Sequence, residues 1–484
     1  MEHRTVYAIL KQADDILESI ENKGDKKATL LNMLLFRKAT FEHKDIQYQS
    51  PEHGKSSAQF EIRSAASSSE AMSSQNTNWL NASNVKGYTC SVLRVLAQEI
   101  PIVRELLWID PHEIPMHEQE LLKLHHLFRR LPVSDQAINR SDFIVAFETI
   151  MQLHATDTSS KSGAFSTPKS IVDLMVTLLD PKGGSIYDPC CKNAATLLAV
   201  GRHLSEKNIE HKLFGQEHDL ESWRIAKLLM YFSSTKADLG RTADDVFMND
   251  LHPHLQADVV LGSPPFSSRK WYRDNEPIKQ DPRWKYDVPP KSSGDFAWLQ
   301  HMLYHAKDDG KLAIVLAVST LYKNSASEHT IRKRMIEDDI IEAIITLPKG
   351  VFHSTQVATA IWILNKKKNI SCQNCILFID ASGLGTKASR IVTLETSDCE
   401  KITSNYQMYI DGVMVKEEGF CNVVSIEEIV ASEYTLFPKQ YISYIKSTVP
   451  SILELESQSR GLQSELCDLV FANSALLDGL FEEK

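Results

Sequence analysis

Over residues 6–43, Leu10, Ala13, Ile16, Leu17, Ile20, Leu30, Leu31, Leu34 and Leu35 recur at the spacing of one helical face. The same period returns over residues 91–154, through Val92, Val95, Leu96, Leu121, Leu124 and Leu127. Between them, residues 47–81 lose the pattern, and residues 56–75 are rich in Ser and Ala, which predicts a Ser-rich loop. Residues 1–154 are therefore expected to form a helical N-terminal domain, and the polar segment 155–162 reads as a linker.

From residue 165 to about 365 the texture changes. Short apolar, β-branched runs predict strands at 185–187, 212–216, 257–261, 311–317, 340–347 and 358–364, with a further one at 375–379. Helical patterns such as 223–232 and 296–306 lie between them. That alternation predicts a mostly parallel sheet covered by helices, an α/β unit over 163–445. In the tail, Ile452, Leu453, Leu455, Leu462, Leu466, Leu469 and Leu476 approach heptad spacing. Residues 446–484 thus read as a C-terminal interaction helix or as a helix packed on its own protein.

Composition narrows the class. A chain of 484 residues is long enough for two or three domains, and its 43% apolar and 24% charged content is that of a globular protein. It has no run long and apolar enough to cross a membrane, no short apolar signal core at Met1-Glu2-His3-Arg4, and scattered cysteines, so a cytoplasmic protein is expected. The net charge of -10 lacks the basic footprint of a stand-alone DNA binder. Any nucleic-acid contact must use a local patch or a more basic partner.

Three strand ends carry polar chemistry. Asp188-Pro189-Cys190-Cys191-Lys192-Asn193-Ala194-Ala195 joins a strand to a helix. Glu217 ends the next strand, where an acid can hold ribose hydroxyls. Ser263-Pro264-Pro265-Phe266 ends a third with a rigid turn and an aromatic. Each alone also fits a plain turn or a solvated acid; their order, after Phe165-Ser166-Thr167-Pro168, is more specific.

On those residues the chain resembles the methyltransferase (modification) subunits of type I restriction-modification systems. The likeness covers about residues 143–442. It includes Gly163-Ala164-Phe165-Ser166-Thr167-Pro168, the segment 290–301 with Gly294-Asp295-Phe296 and His301, and Leu347-Pro348 with Gly350-Val351-Phe352. The segment 359–364 and the closing 434–441 belong to it too. The resemblance implies a Rossmann-like methyltransferase domain that takes S-adenosyl-L-methionine and methylates the exocyclic amine of adenine in DNA. It implies that Ala164, Phe165, Ser166, Thr167, Pro168, Lys169, Asp188, Asn193, Ala194, Ala195 and Glu217 bind the cofactor. It also places the target base at Ser263, Pro264, Pro265 and Phe266.

A base amine is a weak nucleophile because its lone pair is delocalised into the ring. The family meets this with an Asn-Pro-Pro-aromatic turn, whose preorganised acceptors take the amine hydrogens while the aromatic stacks on a flipped-out base. Here Ser263 replaces Asn. A hydroxyl also accepts a hydrogen bond, and Ser in this motif suggests cytosine-amine methylation as an alternative. The cofactor loop has Lys192, Ala194 and Ala195 where the family favours Gly. If two of these are left-handed, non-glycine residues cost roughly 1–2 kcal/mol each, so weakened cofactor binding is expected. Leu316-Ala317-Val318-Ser319 replaces a Leu-Pro-x-Gly element. These departures leave open an impaired or inactive methylase-like subunit that binds DNA and partners.

Directly after Phe266, Arg269, Lys270, Arg273, Lys279, Arg283, Lys285 and Lys291 interleave with Trp271, Tyr272, Trp284 and Tyr286. Basic and aromatic residues beside a base-accepting turn suit backbone contact and stacking, so Arg269, Lys270, Trp271 and Arg273 are expected to touch DNA; the alternative is a solvated loop with buried aromatics. The resemblance further implies a specificity subunit, a restriction (nuclease/translocase) subunit and two copies of this chain per complex. No metal is expected: Cys372-Gln-Asn-Cys375 lacks a second ligand pair, and His125 and His126 read as structural.

Overall fold

The computed structural model describes residues 2–20, 23–42, 83, 85–99, 101–107, 116–131, 146–147, 150, 167–266, 271–272, 280–323, 325–352, 355–389 and 391–443. The expected Ser-rich loop and the C-terminal helix lie outside these residues, save Ser83 beside the former.

The helical periodicity near the start is realised as α1 (Glu2–Ile16), α2 (Lys23–Glu42), α3 (Val85–Glu99), α4 (Pro101–Leu106) and α5 (Glu118–Phe128). Their apolar faces meet around Leu10, Leu30, Leu34, Leu93, Leu96 and Leu124, all buried. His125 belongs to that core: its Nε2 pairs with Thr89 Oγ1 at 2.6 Å, and its ring lies edge-on to Phe36. Burial, then the neighbouring His126 and Arg129, lower its pKa to about 3, so it packs as a neutral ring.

The rest is built on one ten-stranded sheet. In chain order, β1 is Gly184–Asp188, β2 His211–Gly215, β3 Ala237–Asp238, β4 Ala257–Gly262, β5 Ala306–Ala317 and β6 Ile341–Thr346. Strands β7 (Thr359–Asn365), β8 (Cys375–Asp380), β9 (Thr386–Ala388), β10 (Ile391–Thr393), β11 (Lys416–Glu417) and β12 (Cys421–Ser425) follow. The sheet order is β11-β12-β8-β6-β7-β5-β4-β1-β2-β3, and β9 with β10 forms a separate hairpin. Strands β1 to β5 run parallel, and β7 lies antiparallel between β5 and β6. The expected strands are all present, each within a few residues of its predicted ends except β5, which starts five residues earlier. The expectation of a mostly parallel sheet holds except at β7 and the β11–β12 edge.

Alternate strand residues leave the sheet on opposite faces. Ile186, Val259, Leu261, Ala313 and Val315 join one core, under α6 (Lys169–Leu179), α7 (Ala195–Glu206) and α8 (Leu220–Phe232). Tyr187, Val260, Leu312, Ile314 and Trp362 join the other, under α9 (Asp295–His305) and α10 (Ala326–Glu337). Burial on both faces explains why these strands read as continuous apolar runs. The N-terminal helices continue the first core: Phe147 packs on Phe232, and Lys27 pairs with Glu221 of α8. After β1 the chain builds outward to β2 and β3, then returns to place β4 on the other side of β1. In open α/β sheets, ligands sit beyond the carboxyl ends of the strands at such a reversal.

Candidate functional site

The carboxyl ends of β1, β2 and β4 carry Asp188, Glu217 and Ser263 to one place. Parallel register puts Tyr187 opposite both Phe214 and Val260, so the three strand ends are level. Gly262 lets them close: a Cβ there would lie 3.1 Å from Asp188 Oδ1 and 3.3 Å from Cys190 Sγ. The loop after β1 is tied to β2 by Cys191 N–H donating to the Gln216 carbonyl at 3.0 Å. Lys192 N–H donates to Glu217 Oε2 at 2.9 Å, and Lys192 Nζ crosses to donate to Ser263 Oγ at 3.1 Å. Ser263 Oγ also bonds Thr167 Oγ1. One lysine therefore links all three neighbourhoods into a single cleft.

Two of the three loop positions meet the condition raised from the sequence. Lys192 and Ala194 both have left-handed φ, +53° and +59°. Ala194 caps α7, its N–H donating to the Cys191 carbonyl at 2.6 Å, and Asn193 Oδ1 accepts from Ala195 N–H at 3.3 Å. Cys190 and Cys191 are buried fillers beneath it.

The electrostatics are those of charges taken out of water. Burial pushes the Asp188 carboxyl up to about 7, against the Cys190 N–H and the Lys192 charge, which lower it. Burial lowers the Lys192 ammonium, with Cys190, Asp188 and Glu217 pulling it back up. Glu217 is buried, its Oε1 accepting from Asp219 N–H at 2.9 Å and pairing with His218 Nδ1 at 2.9 Å. That bond raises the His218 pKa.

Pro264 is buried, Pro265 and Phe266 are half-buried, and the Phe266 ring stands edge-on to Phe352 at 5.3 Å. Thr167 and Pro168 enter α6 beside Ser263, whereas Lys169 is exposed and pairs with Asp173 one turn along. Ala164, Phe165 and Ser166 lie outside the described residues, as do Arg269, Lys270, Arg273 and Lys279.

Trp271 corrects an expectation. Its indole is buried, packs edge-on to Phe247 and Trp284, and donates to the Pro290 carbonyl at 3.0 Å. Trp284 and Tyr286 are buried too. Apolar rings of this size gain more from the core than from water, so these three do not present faces to a nucleic acid. Arg283 is likewise engaged within the fold, on Asp281 and the carbonyls of Val246 and Phe247.

A second polar cluster was not anticipated. Asp250, His301 and His305 bring ligand-type atoms within 4.8 Å of one another. His305 Nδ1 faces the Leu255 carbonyl at 2.9 Å and Nε2 faces Asp250 Oδ2 at 2.9 Å. His301 Nδ1 lies 3.3 Å from Arg283 Nη1, and Nε2 3.4 Å from Tyr187 Oη. The guanidinium against His301 disfavours a cation there, so the cluster reads as a buried polar network. Two histidines four residues apart on one helix were the available signal; their partner Asp250 lies 51 residues before His301.

Comparison with known proteins bears on this geometry. The N-6 DNA methylase family model matches residues 139–448. The HindI methylase subunit of a type I restriction enzyme from Haemophilus influenzae is 32% identical over 301 residues, 61% of this chain and 67% of that protein. The MjaIX methylase subunit from Methanocaldococcus jannaschii is 31% identical over 293 residues, 58% of this chain and 52% of that protein. The matches thus span from about half to two thirds of these relatives. The crystal structure of a type I restriction-modification system methyltransferase subunit from Streptococcus thermophilus superposes with a TM-score of 0.72 at 22% identity, over 92% of this chain and 100% of that one. That is a likeness of fold.

Proposed function

The chain belongs to the N-6 DNA methylase family, and from that premise we propose that it is the modification subunit of a type I restriction-modification system. It transfers a methyl group from S-adenosyl-L-methionine to the exocyclic amine of adenine in DNA. The observation that supports this most is the meeting of Asp188, Glu217 and Ser263 at the carboxyl ends of three adjacent parallel strands, joined through Lys192.

The loop backbone fits the cofactor. Its left-handed turns at residues 192 and 194 are the backbone a glycine-type cofactor loop takes, and Glu217, just beyond β2, is the acid that would hold the ribose hydroxyls. The Lys192 side chain stands across the path to Ser263. The cofactor supplies, when bound, a methyl group on a positively charged sulfur. Asp188 and Glu217 give that positive charge an acidic surround. Thr167, Pro168 and residues 193–195 wall the cleft.

At the base, Ser263 Oγ and a backbone carbonyl of the turn accept the amine hydrogens. This returns lone-pair density to the nitrogen. Pro264 and Pro265 fix the acceptors beforehand, and Phe266 stacks on a flipped-out base. Arg269, Lys270 and Arg273 follow at once and supply phosphate contacts. The net charge of -10 leaves most of the DNA affinity to a more basic specificity subunit. Assembly with that subunit, a restriction subunit and a second copy of this chain completes the reading.

The test is tritiated methyl transfer to DNA by the full chain combined with its specificity subunit. Label recovered in adenine is expected. Label in cytosine overturns the choice of base, and DNA binding without any label overturns the enzymatic reading. Reversal of Arg269 and Lys270 to Glu is expected to weaken DNA association of that complex; unchanged affinity removes the phosphate contacts.

A further inference from the structure

A hydroxyl has two acceptor lone pairs and one hydrogen. Ser263 Oγ is buried and already has two partners, Thr167 Oγ1 and the Lys192 ammonium at 3.1 Å. With the Lys192 ammonium on one lone pair and Thr167 on a second valence, an incoming amine hydrogen must compete for the one that remains. The Lys192 nitrogen also lies where an amine bound to Ser263 would lie. The root of the side chain is fixed, because the Lys192 backbone N–H donates to Glu217 Oε2 at φ +53°, and Nζ reaches Ser263 from that anchored loop. A positive charge in that position repels a second one.

From these contacts we infer that Lys192 is a resident occupant of the cleft, an intramolecular stand-in for the base amine. It must swing out before a cationic methyl donor and a base can meet at Ser263. The inference rests on the function proposed above and adds a determinant of donor affinity to it. The side chain has four rotatable bonds and is only half-buried, so it can leave without disturbing the loop backbone. While it stays, the binding-competent fraction is small. The apparent affinity for the donor falls by that fraction.

The consequence is measurable without turnover. Isothermal titration of S-adenosyl-L-methionine into the full-length wild type, Lys192→Gly and Lys192→Met separates the possibilities. Lys192→Gly is expected to bind at least tenfold more tightly than wild type, and Lys192→Met, which keeps the stem without the charge, to fall between them. Equal affinity in wild type and Lys192→Gly overturns the inference while leaving the proposed function standing. No binding by any variant, with thermal melts showing all folded, overturns both. As an independent readout, Lys192 in the wild type is expected to be acetylated slowly by an amine-reactive reagent, read by peptide mass spectrometry. Its labelling should rise when the donor is added. Labelling that the donor leaves unchanged counts against displacement. A methyl group found on Lys192 itself would make it a substrate and overturn its role as an occupant.

Discussion

Asp188, which ends β1, and Asp250, between β3 and β4, are both carboxylates taken largely out of water, and their surroundings pull them in opposite directions. Asp250 is desolvated, which would raise it. The hydrogen bond from His305 and the charges of His301 and His305 outweigh this and hold it at about 2. Asp188 has the Cys190 N–H at 3.1 Å and a lysine anchored elsewhere, and burial wins, pushing it up to about 7. The Asp250 cluster is closed: Tyr187, His301, His305 and Arg283 find their partners inside the fold. The Asp188 cluster is completed by one long side chain that can leave. A buried acid without a dedicated counter-charge, beside a movable cation, marks a place where a ligand is meant to bring the charge. A buried acid with a fixed histidine holds the scaffold.

The comparison breaks first on stability. Asp250→Ala leaves His305 buried with one nitrogen unanswered, and a buried polar group without its partner costs about 1–3 kcal/mol. Urea unfolding at neutral pH is expected to show a loss of that size; a loss under about 1 kcal/mol would mean that the Asp250 cluster is no more structural than the cleft.

The two acids also respond to pH with opposite sign. Asp250 is depressed, so its contribution is present above the ordinary carboxylate range and fades as pH falls toward about 2. Asp188 is raised, so the folded state binds more protons than the unfolded one. Its burden grows as pH climbs from about 4 through about 7. Asp250→Asn is therefore expected to differ most from wild type at neutral pH and to converge with it in acid. Asp188→Asn is expected to gain on wild type as pH rises. Melting curves for both variants across that range test the pair, and parallel profiles would erase the distinction.

On the functional side, Phe266→Ala removes the stacking face while Phe352 keeps its other neighbours. Base stacking on an aromatic is worth about 1–3 kcal/mol, so kcat/KM for DNA methylation is expected to drop roughly 5- to 150-fold. A drop that appears only as lost stability would reassign Phe266 to the core.

The sheet was legible because strands buried on both faces are written as runs such as 312–316 and 359–364, which little else explains. The three strand-end motifs were legible because a parallel sheet brings such ends together automatically. Three things were not. Trp271, Trp284 and Tyr286 stand among basic residues in sequence, and a stacking surface and an aromatic core look alike there; their burial is decided by packing against Phe247 and helix α9, which the local pattern of 267–291 does not contain. The reach of Lys192 was also hidden. The sequence raised a left-handed backbone only as a condition on two of residues 192, 194 and 195, which 192 and 194 meet, but the direction of a four-carbon stem depends on Ser263, 71 residues away. Asp250 and His305 escaped for the same reason, since nothing local in either segment announces the other.

The smallest effect isolates the cost of the loop itself. Ala194 has φ +59° and a fully buried methyl group. Replacement by Gly relieves roughly 1–2 kcal/mol of left-handed strain. It restores about 0.4–1 kcal/mol of unfolded-state entropy that folding must then remove, and it gives up about 0.8 kcal/mol for the buried carbon. These terms nearly cancel, so Ala194→Gly is expected to unfold within about 1 kcal/mol of wild type and to bind the methyl donor much as wild type does. The left-handed loop is then tolerated because packing beneath it compensates, and what separates this cleft from a glycine-lined one is the side chain of Lys192. Donor affinity rising as much in Ala194→Gly as in Lys192→Gly would move the obstacle from that side chain to the strain of the turn.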